Sequence, residues 1–211
     1  MFVRSTMKPS YQCFVASPTD TLRSVIEVME KENFQAMPVV DNNLFKGMVS
    51  KQSIFRAFFY SNQSQDEFLD SRKVNEITTN HDLFIGEDEV FERTFTTFKD
   101  YPILAVADAN RKFLGIVSRF DVLEQFESAF GTKRKGIRIA FTSEESSGRF
   151  SRLSDIMKQF HVNIISITTF DETDKLARRI VLKIDQGVKI DKLAKKLENS
   201  GFRVLDIKEE G

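Results

Sequence analysis

Cysteine is nearly missing from this chain. Of 211 residues only Cys13 carries a thiol, so no intrachain disulfide can form, and a reducing cytoplasm is the expected setting. Long apolar runs are missing too. No stretch approaches the ~18 consecutive apolar residues of a membrane helix, so neither a span nor a membrane partner is expected. Met1-Phe2-Val3-Arg4-Ser5 also lacks the apolar core of a secretory signal. Net charge is absent: 31 basic and 31 acidic side chains cancel. That balance is wrong for a chain held to nucleic acid by phosphate attraction, and no nucleic-acid partner is expected. The two histidines, His81 and His161, stand in unrelated segments without a cysteine or carboxylate at zinc-ligand spacing, so no metal site is expected. No G-x-S-x-G, Walker loop or G-x-G-x-x-G occurs, and no nucleophile can be paired with a base, so the chain does not read as an enzyme. Tryptophan is absent while phenylalanine reaches 21, which fits an aromatic-filled core.

What the chain does contain is a repeat. Residues 38–55 (PVVDNNLFKGMVSKQSIF) align with 105–123 (AVADANRKFLGIVSRFDVL), matching Val39 to Val106, Asp41 to Asp108, Gly47 to Gly115, Val49 to Val117 and Ser50 to Ser118. Upstream, Asp20-Thr21-Leu22 and Asp88-Glu89-Val90 each open a segment with helical apolar spacing: Leu22, Val25, Ile26 and Met29 in one, Val90, Phe91, Thr94, Phe95 and Phe98 in the other. Each copy reads as an extended lead-in, a helix, a β-hairpin and a second helix. The strands are expected at Met37–Val40 with Phe45–Val49, and at Leu104–Ala107 with Phe113–Val117. A copy of about fifty residues can hardly bury such an apolar face alone, so the two should pack together. The copies are assigned to residues 1–60 and 74–130, joined by a polar linker over 61–73. Gly131-Thr132-Lys133-Arg134-Lys135-Gly136 then reads as a second, solvated linker over 131–136.

Residues 137–211 follow another plan. Ile137–Thr142 alternates like a strand, and Leu153, Ile156, Met157 and Phe160 form a helical stripe with Ser146 or Ser147 placed to cap it. Asn163–Phe170 and Ala177–Ile184 flank the turn Asp171-Glu172-Thr173-Asp174-Lys175. Ile190, Leu193, Ala194 and Leu197 mark a helix stopped at Gly201, and Phe202–Ile207 closes as a strand. The order is βαββαβ, a ferredoxin-like split unit, and the class of the whole chain is α+β.

Two copies of a Gly-apolar-Val-Ser-x-x-(Asp/Ser) pattern, each led by a (Pro/Ala)-Val-(Val/Ala)-Asp strand, resemble a tandem pair of CBS domains, a Bateman module. The C-terminal unit resembles an ACT domain, with Ser147-Gly148-Arg149-Phe150 at the first strand–helix junction and Val162-Asn163-Ile164 opening the second strand. A CBS pair followed by one ACT domain is similar to the acetoin-utilisation family of regulatory proteins. The resemblance implies a homodimer and an adenine nucleotide (AMP, ADP or ATP class) held as a regulatory ligand, not as a cofactor, in the cleft between the repeats. Ser118, Arg119 and Asp121 at the start of the second repeat's closing helix suit it: a hydroxyl and a guanidinium for phosphate, a carboxylate for both ribose hydroxyls. Ser118 and Asp121 equally suit a plain helix cap. In the first repeat Ser50 matches Ser118, but Ser53 replaces Asp121, so one good site and one degenerate site are expected. Pocket walls are expected from Cys13, Phe14 and Val15, from Ala36, Met37 and Pro38, and from Ile116. The same residues also suit a core, and Cys13 reads as a buried, inert thiol on an apolar strand. In the ACT part the resemblance implies an amino-acid effector at Gly148, Asn163 and Ile164, although a tight turn and a strand start explain them as well. Side-by-side sheet pairing is the other role of that unit. The rival reading of the whole chain is an assembly adaptor that docks a metabolic enzyme and whose cleft is vestigial.

Overall fold

A computed structural model describes residues 1–98, 101–144, 147–171 and 177–210. The chain divides into two compact units, Met1–Leu123 and Glu124–Gly211.

The first unit opens with the short strand β1 (Lys8–Pro9). Helix α1 (Leu22–Lys31) follows, capped by the Thr21 side chain, which accepts the Ser24 N–H; Leu22, Val25, Ile26 and Met29 are its buried face. Strands β2 (Ala36–Asp41) and β3 (Leu44–Ser50) are joined through Asn42 and Asn43, both left-handed at φ 49° and 64°, the conformation that two-residue hairpin turns demand. Helix α2 (Lys51–Phe59) and helix α3 (Gln65–Ser71) complete the first copy. The second copy holds β4 (Phe84–Ile85), α4 (Arg93–Thr97), β5 (Ile103–Ala107), β6 (Phe113–Ser118) and the start of α5 (Arg119–Phe130).

The two copies exchange their lead-ins. β1 belongs in sequence to the first copy, yet it pairs antiparallel with β6 of the second, Lys8 opposite Ile116 and Pro9 opposite Gly115. Val3 is fully buried in the second copy's core with Ile85, Phe91, Leu104 and Val117. Reciprocally, Thr79 from the second lead-in pairs with Met48 of β3 (N···O 2.7 and 2.9 Å), and Val74 is fully buried in the first copy's core. This crossing explains the glycine that recurs in both copies. A Cβ on Gly47 would lie 2.7 Å from the Thr79 carbonyl oxygen, and one on Gly115 would overlap the Lys8 carbonyl, so each glycine admits the other copy's backbone. The linear order of the repeats does not reveal the exchange.

Two elements differ from the sequence reading. Residues 61–72, expected as a polar loop, contain α3, capped by Ser64 and burying Phe68 and Leu69 against the first core. Two apolar residues in seven are too few for periodicity to register. The helix expected from Val90 to Phe98 shrinks to Arg93–Thr97. Phe91, Thr94 and Phe98 are buried while Val90 and Phe95 are exposed. The Thr94, Thr96 and Thr97 hydroxyls donate to the carbonyls of Phe91 and Arg93, competing with a regular helix.

In the second unit β7 (Gly136–Glu144), α6 (Arg149–Gln159), β8 (Ile164–Asp171), β9 (Ala177–Ile184), α7 (Ile190–Asn199) and β10 (Arg203–Glu210) form a sheet of order β10-β7-β9-β8. Its neighbours are all antiparallel, the arrangement of a ferredoxin-like fold. Leu153, Ile156, Met157, Leu193 and Leu197 of the helices bury against Ile137, Ile139, Phe141, Ile180, Leu182 and Ile184. Gly201 ends α7 at φ +86°, but α6 is not capped by a serine: its N-cap is Gly148 at φ +79°, with no side-chain bond. Ser146 and turn residues 172–175 lie outside the described residues. The basic stretch after α5 is ion-paired, Lys133 with Glu124 and Glu127 and Arg134 with Asp185.

Candidate nucleotide cleft

The site grows from the β6–α5 junction. Ser118 ends β6, and its hydroxyl oxygen accepts the Asp121 N–H at 3.1 Å. One oxygen of Asp121, Oδ2, accepts in turn from the Ser118 N–H at 2.6 Å and from the Ser118 hydroxyl at 2.7 Å. This is a reciprocal capping box, and Ser50 with Ser53 builds the same device at the β3–α2 junction. The capping role of both pairs is therefore realised. Serine can do it as well as aspartate, but aspartate leaves its second carboxylate oxygen, Oδ1, without a hydrogen bond among the described residues.

That carboxylate borders a cavity of about 210 Å³ lined by Lys8, Cys13, Phe14, Phe34, Ala36, Met37, Pro38, Ile103, Ile116, Ser118 and Asp121. Its walls come from both copies. β2 supplies Ala36, Met37 and Pro38, all buried; β6 and α5 supply Ile116, Ser118 and Asp121; the exchanged N-terminal segment supplies Lys8, Cys13 and Phe14. Phe14 and Phe34 pack against each other at 5.4 Å between ring centres, forming an aromatic wall. The lining residues are apolar except for Ser118, Cys13, Asp121 and Lys8.

Eight of the residues read from the sequence thus meet at one cavity: Cys13, Phe14, Ala36, Met37, Pro38, Ile116, Ser118 and Asp121. Val15 and Arg119 do not line it. Side chains alternate along an extended segment, so Phe14 and Val15 point apart. Ser50 lines the pseudosymmetric cleft instead, a cavity of about 520 Å³ with Gln52, Ser53, Arg56, Glu76, Thr79 and Tyr101 among its walls. There the positions matching Ile116 and Met37 are Met48 and Leu104, both fully buried in the core, so the apolar slot is filled by the protein itself. Lys8, Phe34 and Ile103 were missed. Ile103 aligns with Ala36, so the repeat alone could have found it; Lys8 could be found only by knowing of the exchange.

Cys13 is not on a strand and is only half-buried. It closes the short turn Ser10–Gln12, and its thiol donates to the carbonyls of Lys8 (3.4 Å) and Pro9 (3.2 Å). Burial raises its pKa, and the Lys8 ammonium partly opposes that shift.

In the C-terminal unit the three residues expected to hold an effector are not gathered. Gly148 follows the end of β7, whereas Ile164 opposes Ile184, which opposes Ile137 at the beginning of β7. Gly148 and Asn163 therefore sit at opposite ends of one sheet, and the Asn163 amide donates to Asp185 at 2.7 Å.

Exchanged lead-ins, paired hairpins and a cleft between two copies are the fold of a CBS-domain pair, followed here by a ferredoxin-like unit. The family model for the CBS domain matches residues 3–60. Among solved structures, CBSX2 in complex with AMP is 23% identical, with 63% of this chain and 98% of that one covered, at a TM-score of 0.52. The Listeria monocytogenes CbpB protein in complex with c-di-AMP is 24% identical, with 59% and 94% covered, at 0.52. A CBS domain pair/ACT domain protein from Thermotoga maritima is 23% identical, with 60% and 96% covered, at 0.50. At these identities the likeness establishes the fold. Among the described residues no helix is long and apolar enough to cross a membrane.

Proposed function

We propose that this protein is a regulatory sensor, not an enzyme, which binds an adenine nucleotide in the cleft bordered by Asp121. The observation that carries this reading is the cavity itself. An apolar slot with an aromatic wall suits a purine. Beside it stands a fixed carboxylate with one oxygen uncommitted, at the N-terminal end of the twelve-residue helix α5, where anions are favoured. That AMP and c-di-AMP accompany structures of this fold supports the same ligand class. At about 210 Å³ the cavity is smaller than the ~300–1,000 Å³ of typical ligand sites, which suits a base held inside with ribose and phosphate at the mouth. The protein works as a homodimer in the cytoplasm. Its exposed Phe55, Phe59, Phe120 and Leu123 on α2 and α5 are the faces on which the CBS pair associates. The C-terminal unit is an ACT domain that assembles through its sheet, and an amino-acid effector there needs a second copy, because Gly148 and Asn163 are at opposite ends of one.

Thermal shift tests the reading. AMP, ADP, ATP or c-di-AMP at ~100 times its dissociation constant stabilises the folded state by about 2.7 kcal/mol. Asp121→Ala abolishes most of that ligand-dependent increment, and Ser53→Ala leaves it. No increment with any of these ligands, or equal loss from both variants, refutes the assignment. One observation favours the adaptor reading: Asp121 is already satisfied as a cap. Co-purification of a metabolic enzyme together with no nucleotide shift is the outcome that selects it; acetoin metabolism is the first pathway in which to look.

A further inference from the structure

The cavity has one acid and one base in its lining, and the base does not belong to the copy that supplies the acid. Lys8 lies on β1, carried across to β6 by the exchange, while Asp121 lies on α5. Lys8 is exposed, and among the described residues no carboxylate pairs with it. Its ammonium still acts on the Cys13 thiol inside the cavity. In the pseudosymmetric cleft the corresponding strand position is Thr79, whose hydroxyl is bonded to the Tyr101 hydroxyl at 2.9 Å. The two clefts therefore differ twice over. One has a carboxylate and an ammonium where the other has two hydroxyls.

An exposed lysine that lines an apolar slot and forms no ion pair among the described residues attracts an anion. A fixed carboxylate on the same slot repels one and accepts hydroxyls. The two together impose a direction on a ligand that has a neutral planar end, a diol and a phosphate.

We propose that Lys8 reads the phosphate of the bound nucleotide, so that this cleft selects phosphorylated adenine compounds over the free nucleoside. This inference rests on the nucleotide reading above and adds the residue that sets its specificity. Because Lys8 sits on the exchanged strand, phosphate binding also tethers that strand to the second copy.

Calorimetric titration of the full chain with AMP and with adenosine, for the wild type, Lys8→Gln and Lys8→Arg, tests it. Lys8→Gln weakens AMP about fivefold to tenfold, the scale of one charge-assisted contact at a partly exposed site, and leaves adenosine within about twofold. Lys8→Arg retains AMP binding. The wild type loses AMP affinity as ionic strength rises while adenosine affinity stays level, a comparison that needs no variant. Equal effects of Lys8→Gln on both ligands, or no effect on AMP, overturn the role of Lys8 while the nucleotide reading stands. Binding of neither compound to the wild type overturns both.

Discussion

Replacing Gly115 by alanine probes the exchange that builds the cleft. The new methyl group would overlap the Lys8 carbonyl oxygen and approach the Lys8 carbonyl carbon to 3.1 Å and the Pro9 Cα to 3.2 Å. These are backbone atoms and cannot swing aside like the end of a side chain. Either β6 distorts, at the ~1–3 kcal/mol typical of overpacking, or β1 leaves. Departure of β1 exposes Val3, fully buried now, at about 1.5–3 kcal/mol, and breaks a short ladder whose bonds contribute ~0.5–1.5 kcal/mol each. Alanine's lower unfolded-state entropy returns ~0.4–1 kcal/mol. The expected net loss is about 2–4 kcal/mol. For a unit of this size each kcal/mol lowers Tm by roughly 4 °C, so the first transition falls by about 8–16 °C. Scanning calorimetry measures that fall, and hydrogen exchange with mass spectrometry should show faster exchange confined to residues 1–13 and to the β6 amides facing them. A transition within about 2 °C of the wild type, with unchanged exchange in residues 1–13, would refute the reasoning.

Two further outcomes are expected from the packing of the first unit. Phe68→Ala empties a site that is 3% exposed and in ring contact with Phe58 at 5.4 Å, so chemical denaturation should show a loss of about 3–5 kcal/mol; a loss under 1 kcal/mol would mean that residues 61–72 are the loop their composition suggests. Because burial raises the Cys13 pKa above the ordinary thiol value near 8.5, its thiolate is scarce at pH 7. Alkylation by iodoacetamide, followed by mass spectrometry, should therefore be slow at pH 7, climb as pH passes 9, and slow again when nucleotide fills the cavity. Rapid labelling at pH 7 contradicts that placement.

The repeat was legible because it is written in residue identity: the Gly–apolar–Val–Ser pattern recurs, and both copies form the hairpin it implies. The βαββαβ order was legible from period alone, since Ile137, Ile139 and Phe141 alternate while Leu153, Ile156 and Met157 fall on one helical face. Pairing partners were not legible. Lys8 and Thr79 occupy short polar stretches with no apolar alternation, and what places them is the open strand edge of the other copy. The same limit explains the site. Asp121 and Ser118 could be found from a motif, whereas Lys8 reaches the cavity only after segments distant in sequence have crossed.

If the cleft binds a nucleotide as proposed, the exchange would also give it a means of signalling. A ligand shifts an equilibrium only by the difference between its affinities for two states. A cavity walled by one copy alone would look alike whether or not the copies were engaged. Here Ala36, Met37 and Pro38 belong to one copy, Ile116 and Asp121 to the other, and Lys8, Cys13 and Phe14 to the strand that crosses between them. Separating the copies dismantles the cavity, so the difference in ligand affinity between the engaged and the separated states approaches the whole of the binding free energy. To carry the pair from 1% to 99% engaged takes a preference of about 10⁴-fold, or ~5.5 kcal/mol. Micromolar binding, about 8 kcal/mol, supplies that preference from a single occupied cleft. On the nucleotide reading proposed above, the second cleft, where Met48 and Leu104 are fully buried, would be free to remain empty while the first one switches the pair.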